Sequence, residues 1–185
     1  MTCIVGLVHE GAVWIGGDSA GVAGLSLTVR KDAKVFRNGE FLIGVSASFR
    51  VGQLLHHAFT PPPLGEGADI ERYMVTGFVD AVRECLKAGG HAERDNDNES
   101  GGNFLVGVRG RLFRIEEDYQ VAETHLPFTA IGCGRDLAKG ALLALRLVGS
   151  AKSPRDQVEI ALQVAEQQSV GVRGPYTIEH LEKAE

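Results

Sequence analysis

Thr2-Cys3-Ile4-Val5-Gly6-Leu7-Val8-His9, then Glu10-Gly11, then Ala12-Val13-Trp14-Ile15-Gly16-Gly17-Asp18, opens the chain as two β-branched apolar runs around a glycine-containing turn. This is the signature of a β-hairpin, because branched side chains fit a pleated surface and glycine supplies the turn. Further short runs at 27–29, 33–36 and 40–45 read as strands, with Asn38-Gly39 as a second hairpin signal between the last two. The first quarter of the chain is predicted to be a sheet.

From Ser48 the period changes. Val51, Leu54, Leu55, Ala58 and Phe59 form the stripe of an amphipathic helix, which Pro61-Pro62-Pro63 ends. A second helix is predicted from Asp69 to Lys87, showing Ile70, Met74, Phe78, Ala81, Cys85 and Leu86 on one side. Residues 89–102 are polar, glycine-rich and acidic and read as a surface loop. Strands return at 104–108, 112–115 and 128–131, the first two joined by a tight Arg109-Gly110-Arg111 turn. Two helices follow, 135–147 and one capped by Ser153 with Pro154 at its first position, before a last apolar segment, Tyr176-Thr177-Ile178. The order of strands, two helices, strands, two helices and a final strand fits sheets packed face to face with helices outside them.

A length of 185 residues with 44% apolar residues suits a single domain spanning 1–185 with a sizeable core. A formal net charge of −5 argues against nucleic acid as a partner, since phosphate binding wants clustered Lys and Arg. The three cysteines, Cys3, Cys85 and Cys133, stand at no metal-ligand spacing and suit a reducing compartment, so a cytoplasmic location is expected. The sequence has neither a signal-peptide pattern nor an apolar run long enough for a bilayer, and no membrane association is expected. No cofactor or metal is implied. Cys3 reads as a buried thiol, His56-His57 as adjacent helical residues pointing different ways, and Asp95-Asn96-Asp97-Asn98-Glu99 as a solvated run without the glycine and terminal glutamate of a calcium loop. Glu182-Lys183-Ala184-Glu185 reads as a solvated end.

Three polar residues stand at equal spacing in the opening segment: Thr2, Asp18 and Lys34, sixteen positions apart. A small second residue permits removal of the initiator methionine, after which Thr2 carries a hydroxyl and a free α-amine on one residue. Nucleophile and base then coincide. An α-amine titrates at roughly 7.7–8.0, so a modest downward shift frees it at neutral pH. Taken singly, Thr2 is the start of a strand, Asp18 a turn residue and Lys34 an edge-strand charge; the functional reading rests on the combination.

The sequence resembles the proteasome β-subunit group of N-terminal-nucleophile (Ntn) hydrolases, most closely the bacterial HslV-type subunit. The resemblance is carried by T-C-I-V-G at Thr2–Gly6, G-G-D at Gly16–Asp18, K-V at Lys34-Val35, I-G-V at Ile43–Val45, A-I-G-C-G at Ala130–Gly134 and Y-T-I-E-H-L at Tyr176–Leu181. It implies an α+β fold, the four-layer αββα sandwich, and a threonine-type peptidase acting on peptide or unfolded protein. It further implies a homo-oligomer of stacked rings enclosing a chamber that an ATP-dependent unfoldase feeds.

By this resemblance Thr2 is the nucleophile, Lys34 the ammonium that lowers the pKa of its hydroxyl and amine, and Asp18 the carboxylate partner of that lysine. Gly44 matches the glycine whose N–H donates to the oxyanion. Cys133 stands where the family has a serine near the threonine amine, and a thiol is a poorer donor and acceptor. Ser169 is the candidate for the serines near the end, where proteasomal subunits also place an aspartate; here the run is Gln167-Gln168-Ser169-Val170-Gly171. A non-catalytic ring-forming homologue, and an Ntn amidase acting on a small molecule, are the competing readings.

Overall fold

The computed structural model describes residues 1–91, 93–95 and 98–182; Asn96 and Asp97 of the acidic run and residues 183–185 of the C-terminal segment lie outside the described residues. The elements in chain order are β1 (Cys3–His9), β2 (Ala12–Gly17), β3 (Ala20–Ala23), β4 (Ser26–Val29), β5 (Val35–Asn38), β6 (Phe41–Ser46), α1 (Phe49–His57), α2 (Ile70–Tyr73), a π-helical turn (Met74–Phe78) and α3 (Val79–Ala88). They continue with β7 (Glu93–Asp95), β8 (Asn98–Ser100), β9 (Asn103–Val108), β10 (Arg111–Ile115), β11 (Val121–Glu123), β12 (Phe128–Gly132), α4 (Arg135–Leu147), α5 (Pro154–Gln168) and β13 (Thr177–Leu181).

The strands form two main antiparallel sheets. One has the order β12-β1-β2-β13, the other β11-β10-β9-β6-β5, and β3-β4 and β7-β8 are separate ribbons. The opening hairpin pairs His9 with Ala12 through Glu10 and Gly11, both at positive φ (51° and 82°). The Arg109-Gly110 turn repeats that geometry between β9 and β10.

Side-chain alternation divides the apolar residues among three clusters. Cys3, Val5 and Leu7 of β1 face α4 and α5, where Ala138, Leu142, Val158, Ala161, Leu162 and Ala165 are buried with them. Ile4 points the other way and joins Val13, Ile15, Val35, Leu42, Leu105 and Leu112 between the two sheets. Phe41, Ile43 and Val45 of β6 face Val51, Leu54 and Leu55 of α1, Met74 and Phe78 of the π turn, and Val79, Val82 and Leu86 of α3. Each large side chain buried this way contributes about 1.5–3 kcal/mol.

Several expected boundaries move, for local reasons. Helix α1 ends at His57, before Phe59 and the prolines, where Asn38 Nδ2 donates to Leu55 O (3.1 Å) and Phe59 O (2.9 Å) and closes the last turn. The second helix starts where expected, with Asp69 as its N-cap and Arg72 N donating to Asp69 Oδ1, but the π turn interrupts it. Below that turn Val79 and Val82 are buried while Ala81 and Cys85 lie at the margin. Residues 89–102 are not wholly loop, since β7 and β8 pair within them. Strands β3 and β11 escape the sequence patterns because A-G-V-A and V-A-E carry too few branched or aromatic residues. Among the described residues no helix is long and apolar enough to cross a membrane.

Candidate active site

Thr2, Asp18 and Lys34 meet where β1, the end of β2 and the entry to β5 converge, and all three are buried (5%, 2% and 7% exposed). The ammonium of Lys34 donates to Thr2 Oγ1 (3.0 Å), Asp18 Oδ1 (2.8 Å) and Ala20 O (2.8 Å), so all three of its protons are placed. Asp18 accepts further from Cys3 N (2.9 Å) on Oδ1, and from Ala20 N (2.8 Å) and Arg173 N (3.3 Å) on Oδ2. The carboxylate is thus fully solvated by the protein, which is what a buried charge requires. Burial pushes the Lys34 ammonium below the usual lysine range, and the Asp18 charge pulls it part of the way back. An ammonium held against a hydroxyl favours the alkoxide.

Cys133 and Ser169 complete the cluster on the side of the Thr2 nitrogen. Thr2 N–H donates to Cys133 Sγ at 3.3 Å, the thiol lies 3.4 Å from Thr2 O, and Cys133 Sγ and Ser169 Oγ are 3.4 Å apart. In the chain with Met1 attached, Thr2 Oγ1 also donates to Met1 O at 2.6 Å. Gly132 is needed here. At φ +89°, a Cβ on it would fall 2.2 Å from Thr2 O and 2.8 Å from Ser46 Oγ, so only glycine lets the end of β12 pass over the threonine.

Gly44 stands apart from this cluster. It alternates with Ile43 and Val45, so its α-carbon faces the other sheet, where a Cβ would meet Ile4 Cγ2 at 2.5 Å and Ile15 Cγ2 at 2.9 Å. Val45 N–H donates to Lys34 O, so Val45 faces the β5 edge and the Gly44 amide faces β9, opposite Leu105. Gly44 therefore serves the close packing of the sheets. On the β5 edge the next amide after Val45 belongs to Ala47, one residue beyond β6.

Ala47 and Lys34 border a pocket of about 330 Å³, lined also by Lys31, Ala33, Val45, Phe49, Gly52, Gln53, His56 and His57. The two histidines thus take part in the site's surroundings. His56 stacks on Phe36 (centroids 4.3 Å apart) and on His57 (4.1 Å), and burial lowers its pKa. Cys3 is inert by contrast: burial first, and then the Asp18 charge, push its thiol up to about 12. Sequence reasoning missed the backbone donors of Cys3, Ala20 and Arg173, since main-chain contacts leave no residue-type signal. The pocket escaped it because its lining joins an interstrand loop to a helix.

No protein-family model matches the chain, and no curated protein matches it in sequence. Solved structures match in fold. The structure of Thiobacillus denitrificans BPH in complex with epoxomicin superposes with a TM-score of 0.83 at 18% identity, over 100% of both chains. HslV from Trypanosoma brucei gives 0.69 at 19% identity, over 98% of this chain and 99% of that one. The Anbu (Gly-1) mutant from Hyphomicrobium sp. strain MC1 gives 0.67 at 20% identity, over 96% of this chain and 80% of that one.

Proposed function

We propose that this chain, which has the fold of HslV-like and Anbu proteins, is a threonine-type endopeptidase subunit. Thr2 becomes its nucleophile once Met1 is removed, and its substrate is peptide or unfolded protein. The observation that carries the proposal is the contact of Lys34 Nζ with Thr2 Oγ1 at 3.0 Å, backed by the buried Asp18 at 2.8 Å. The three apolar clusters, one between the sheets and one under each helix pair, support the four-layer αββα sandwich as a single domain.

In the processed chain the Thr2 amine, working through a water, takes the hydroxyl proton as Oγ1 attacks the peptide carbonyl. The proton passes to the departing amine, an ester to Thr2 remains, and a water activated by the same amine hydrolyses it. Lys34 offsets the negative charge growing on Oγ1, and Asp18 keeps Lys34 charged in a buried place. Cys133 and Ser169 orient the amine. For the oxyanion, strand parity favours the Ala47 N–H over Gly44. The pocket beside Ala47, with Val45, Phe49 and Gly52 on its walls, suits a large apolar substrate side chain next to the scissile bond.

Assembly into stacked rings, feeding by an ATP-dependent unfoldase and a cytoplasmic location belong to the same proposal. The test is intact mass to establish loss of Met1, followed by incubation with epoxomicin and mapping of the adduct. Labelling at Thr2 that is abolished in Thr2→Ala, together with peptide cleavage, supports the peptidase. A processed chain that neither labels nor cleaves is a non-catalytic homologue, and one that hydrolyses only small amides is an amidase.

A further inference from the structure

The segment between α5 and β13 carries two groups that reach the immediate support of the Thr2 centre. Ser169 Oγ touches Cys133 Sγ at 3.4 Å, and Arg173 N–H donates to Asp18 Oδ2 at 3.3 Å. Arg173 O accepts from Ser19 N at 2.8 Å, and Ser19 Oγ reaches Pro175 O, which ties the segment to the residue after Asp18. A segment of this kind has no ladder of its own, so its position depends on what anchors it.

One side chain gathers most of that anchoring. The carboxylate of Glu166, on the last turn of α5, accepts from Arg173 Nη1 (3.2 Å) on Oε1, and from Gly174 N (3.2 Å) and Tyr176 Oη on Oε2. Three donors at residues 173, 174 and 176 thus converge on a single anion held by a helix. Val172, fully buried against the α5 side of the core, fixes the same segment from beneath. The hydrogen bond from Tyr176 is the first cause holding the Glu166 carboxyl below its usual range, and burial and that same bond push the Tyr176 phenol up. The clamp is therefore ionised at neutral pH, and its charge-assisted bonds are the strong kind.

We propose that Glu166 is a positioning residue for the Thr2 centre: by clamping residues 173–176 it aims the Arg173 N–H at Asp18 and keeps Ser169 against Cys133. The proposal rests on the peptidase reading for its catalytic consequence and on geometry alone for the clamp. Glu166 touches neither Thr2 nor Lys34; it acts through Asp18 and Cys133.

The test compares Glu166→Gln and Tyr176→Phe with the wild-type chain by amide hydrogen exchange, by the rate of Thr2 labelling with epoxomicin, and by melting temperature. Glu166→Gln keeps an acceptor but removes the charge, so about tenfold faster exchange is expected at Arg173 and Gly174, spreading to Cys3 and Ala20, the other amides on Asp18. About tenfold slower labelling is expected with it, with Tyr176→Phe showing a smaller change of the same sign and Glu166→Asp recovering part of the loss. Unchanged exchange in Glu166→Gln overturns the clamp. Faster exchange at Arg173 with unchanged labelling, or slower labelling that follows only a fall in melting temperature, overturns the positioning role. If the wild-type chain itself does not label, the peptidase reading fails. Exchange at Cys3 and Ala20 then decides by itself whether Glu166 holds Asp18's surroundings in place, and unchanged rates there overturn it.

Discussion

Lys34 Nζ lies 3.0 Å from Thr2 Oγ1 although the two residues enter different sheets, Thr2 leading into β1 and Lys34 into β5. The contact crosses the interface that Ile4 and Val35 fill, so the ammonium meets the hydroxyl in a place shielded from water. That shielding lets one charge matter, because the attraction between an ammonium and a developing alkoxide grows as the local dielectric falls.

Removing the ammonium costs both stability and reactivity, and the two are separable. Lys34→Ala leaves the Asp18 carboxylate buried without its cation, with a loss of about 3–5 kcal/mol by urea unfolding. Lys34→Met combined with Asp18→Asn recovers much of that stability. It does not recover labelling of Thr2, which falls by about 10²–10⁴ in both variants. Restored labelling in the double variant would show that the pair is structural only.

The pH dependence follows from the direction of the Lys34 shift. Burial lowers its pKa below the ordinary 10.5, and the proton is what holds Thr2 Oγ1, so kcat/KM for peptide cleavage falls on the alkaline side as pH rises through that lowered value. Asp18 pulls the pKa upward, so Asp18→Asn moves the alkaline limb to still lower pH. Stability runs the opposite way: between the folded pKa and about 10.5 the unfolded chain binds the extra proton, and the lysine's contribution to stability improves as pH rises. An alkaline limb at or above 10.5 would contradict the buried ammonium.

Cys133 is the exposed thiol of the site and Cys3 the buried one, and their reactivities differ accordingly. Iodoacetamide modifies Cys133 at neutral pH and leaves Cys3 unmodified in the folded protein, as read by peptide mass mapping. Cys133→Ser replaces a weak sulfur contact with a hydroxyl, and Thr2 labelling quickens by about three- to tenfold. Slower labelling in that variant would mean that the sulfur is tuned to the amine.

The grouping of Thr2, Asp18 and Lys34 was legible because their order and spacing along the chain match the resemblance, and the structure brings the three side chains into contact. The sheet-and-helix succession was legible from periodicity. Gly44 was not, since a residue without a side chain carries two readings, an oxyanion donor or a close sheet-to-sheet approach. The turn of its amide toward β9 and of its Cα toward Ile4 and Ile15 separates them. His56 and His57 read in the sequence as adjacent helical residues pointing different ways, whereas their rings stack on each other and both line the pocket wall, because a pocket is made by residues that are adjacent in space alone. The Glu166 clamp was hidden for the same reason: its partners lie seven to ten positions away and two of its three bonds involve groups any residue could carry or that read as surface.

Gly44→Ala separates packing from catalysis at that position. The new methyl presses on Ile4 and Ile15, which costs about 1–3 kcal/mol by overpacking. Thr2 labelling per folded molecule stays within about twofold if the oxyanion donor is the Ala47 amide. A loss of about a hundredfold at equal folding would return the oxyanion role to Gly44.

Gly52 gives a way to narrow the pocket without weakening the fold. It lies within α1, and a Cβ there would touch only Val45 Cγ1, at 3.9 Å, an ordinary contact. Glycine inside a helix costs about 0.8–1.0 kcal/mol against alanine, so Gly52→Ala raises stability by roughly that amount in urea unfolding. Gly52→Met places its side chain on the pocket wall. If the pocket receives the substrate side chain beside the scissile bond, cleavage after Phe or Leu falls by about tenfold while cleavage after Ala holds or improves, and the effect lies in KM as well as kcat. Equal losses for both substrates would place the specificity elsewhere on the cleft. A stability gain with cleavage after Phe or Leu lost ties this pocket to substrate selection, since a folding defect has the opposite sign.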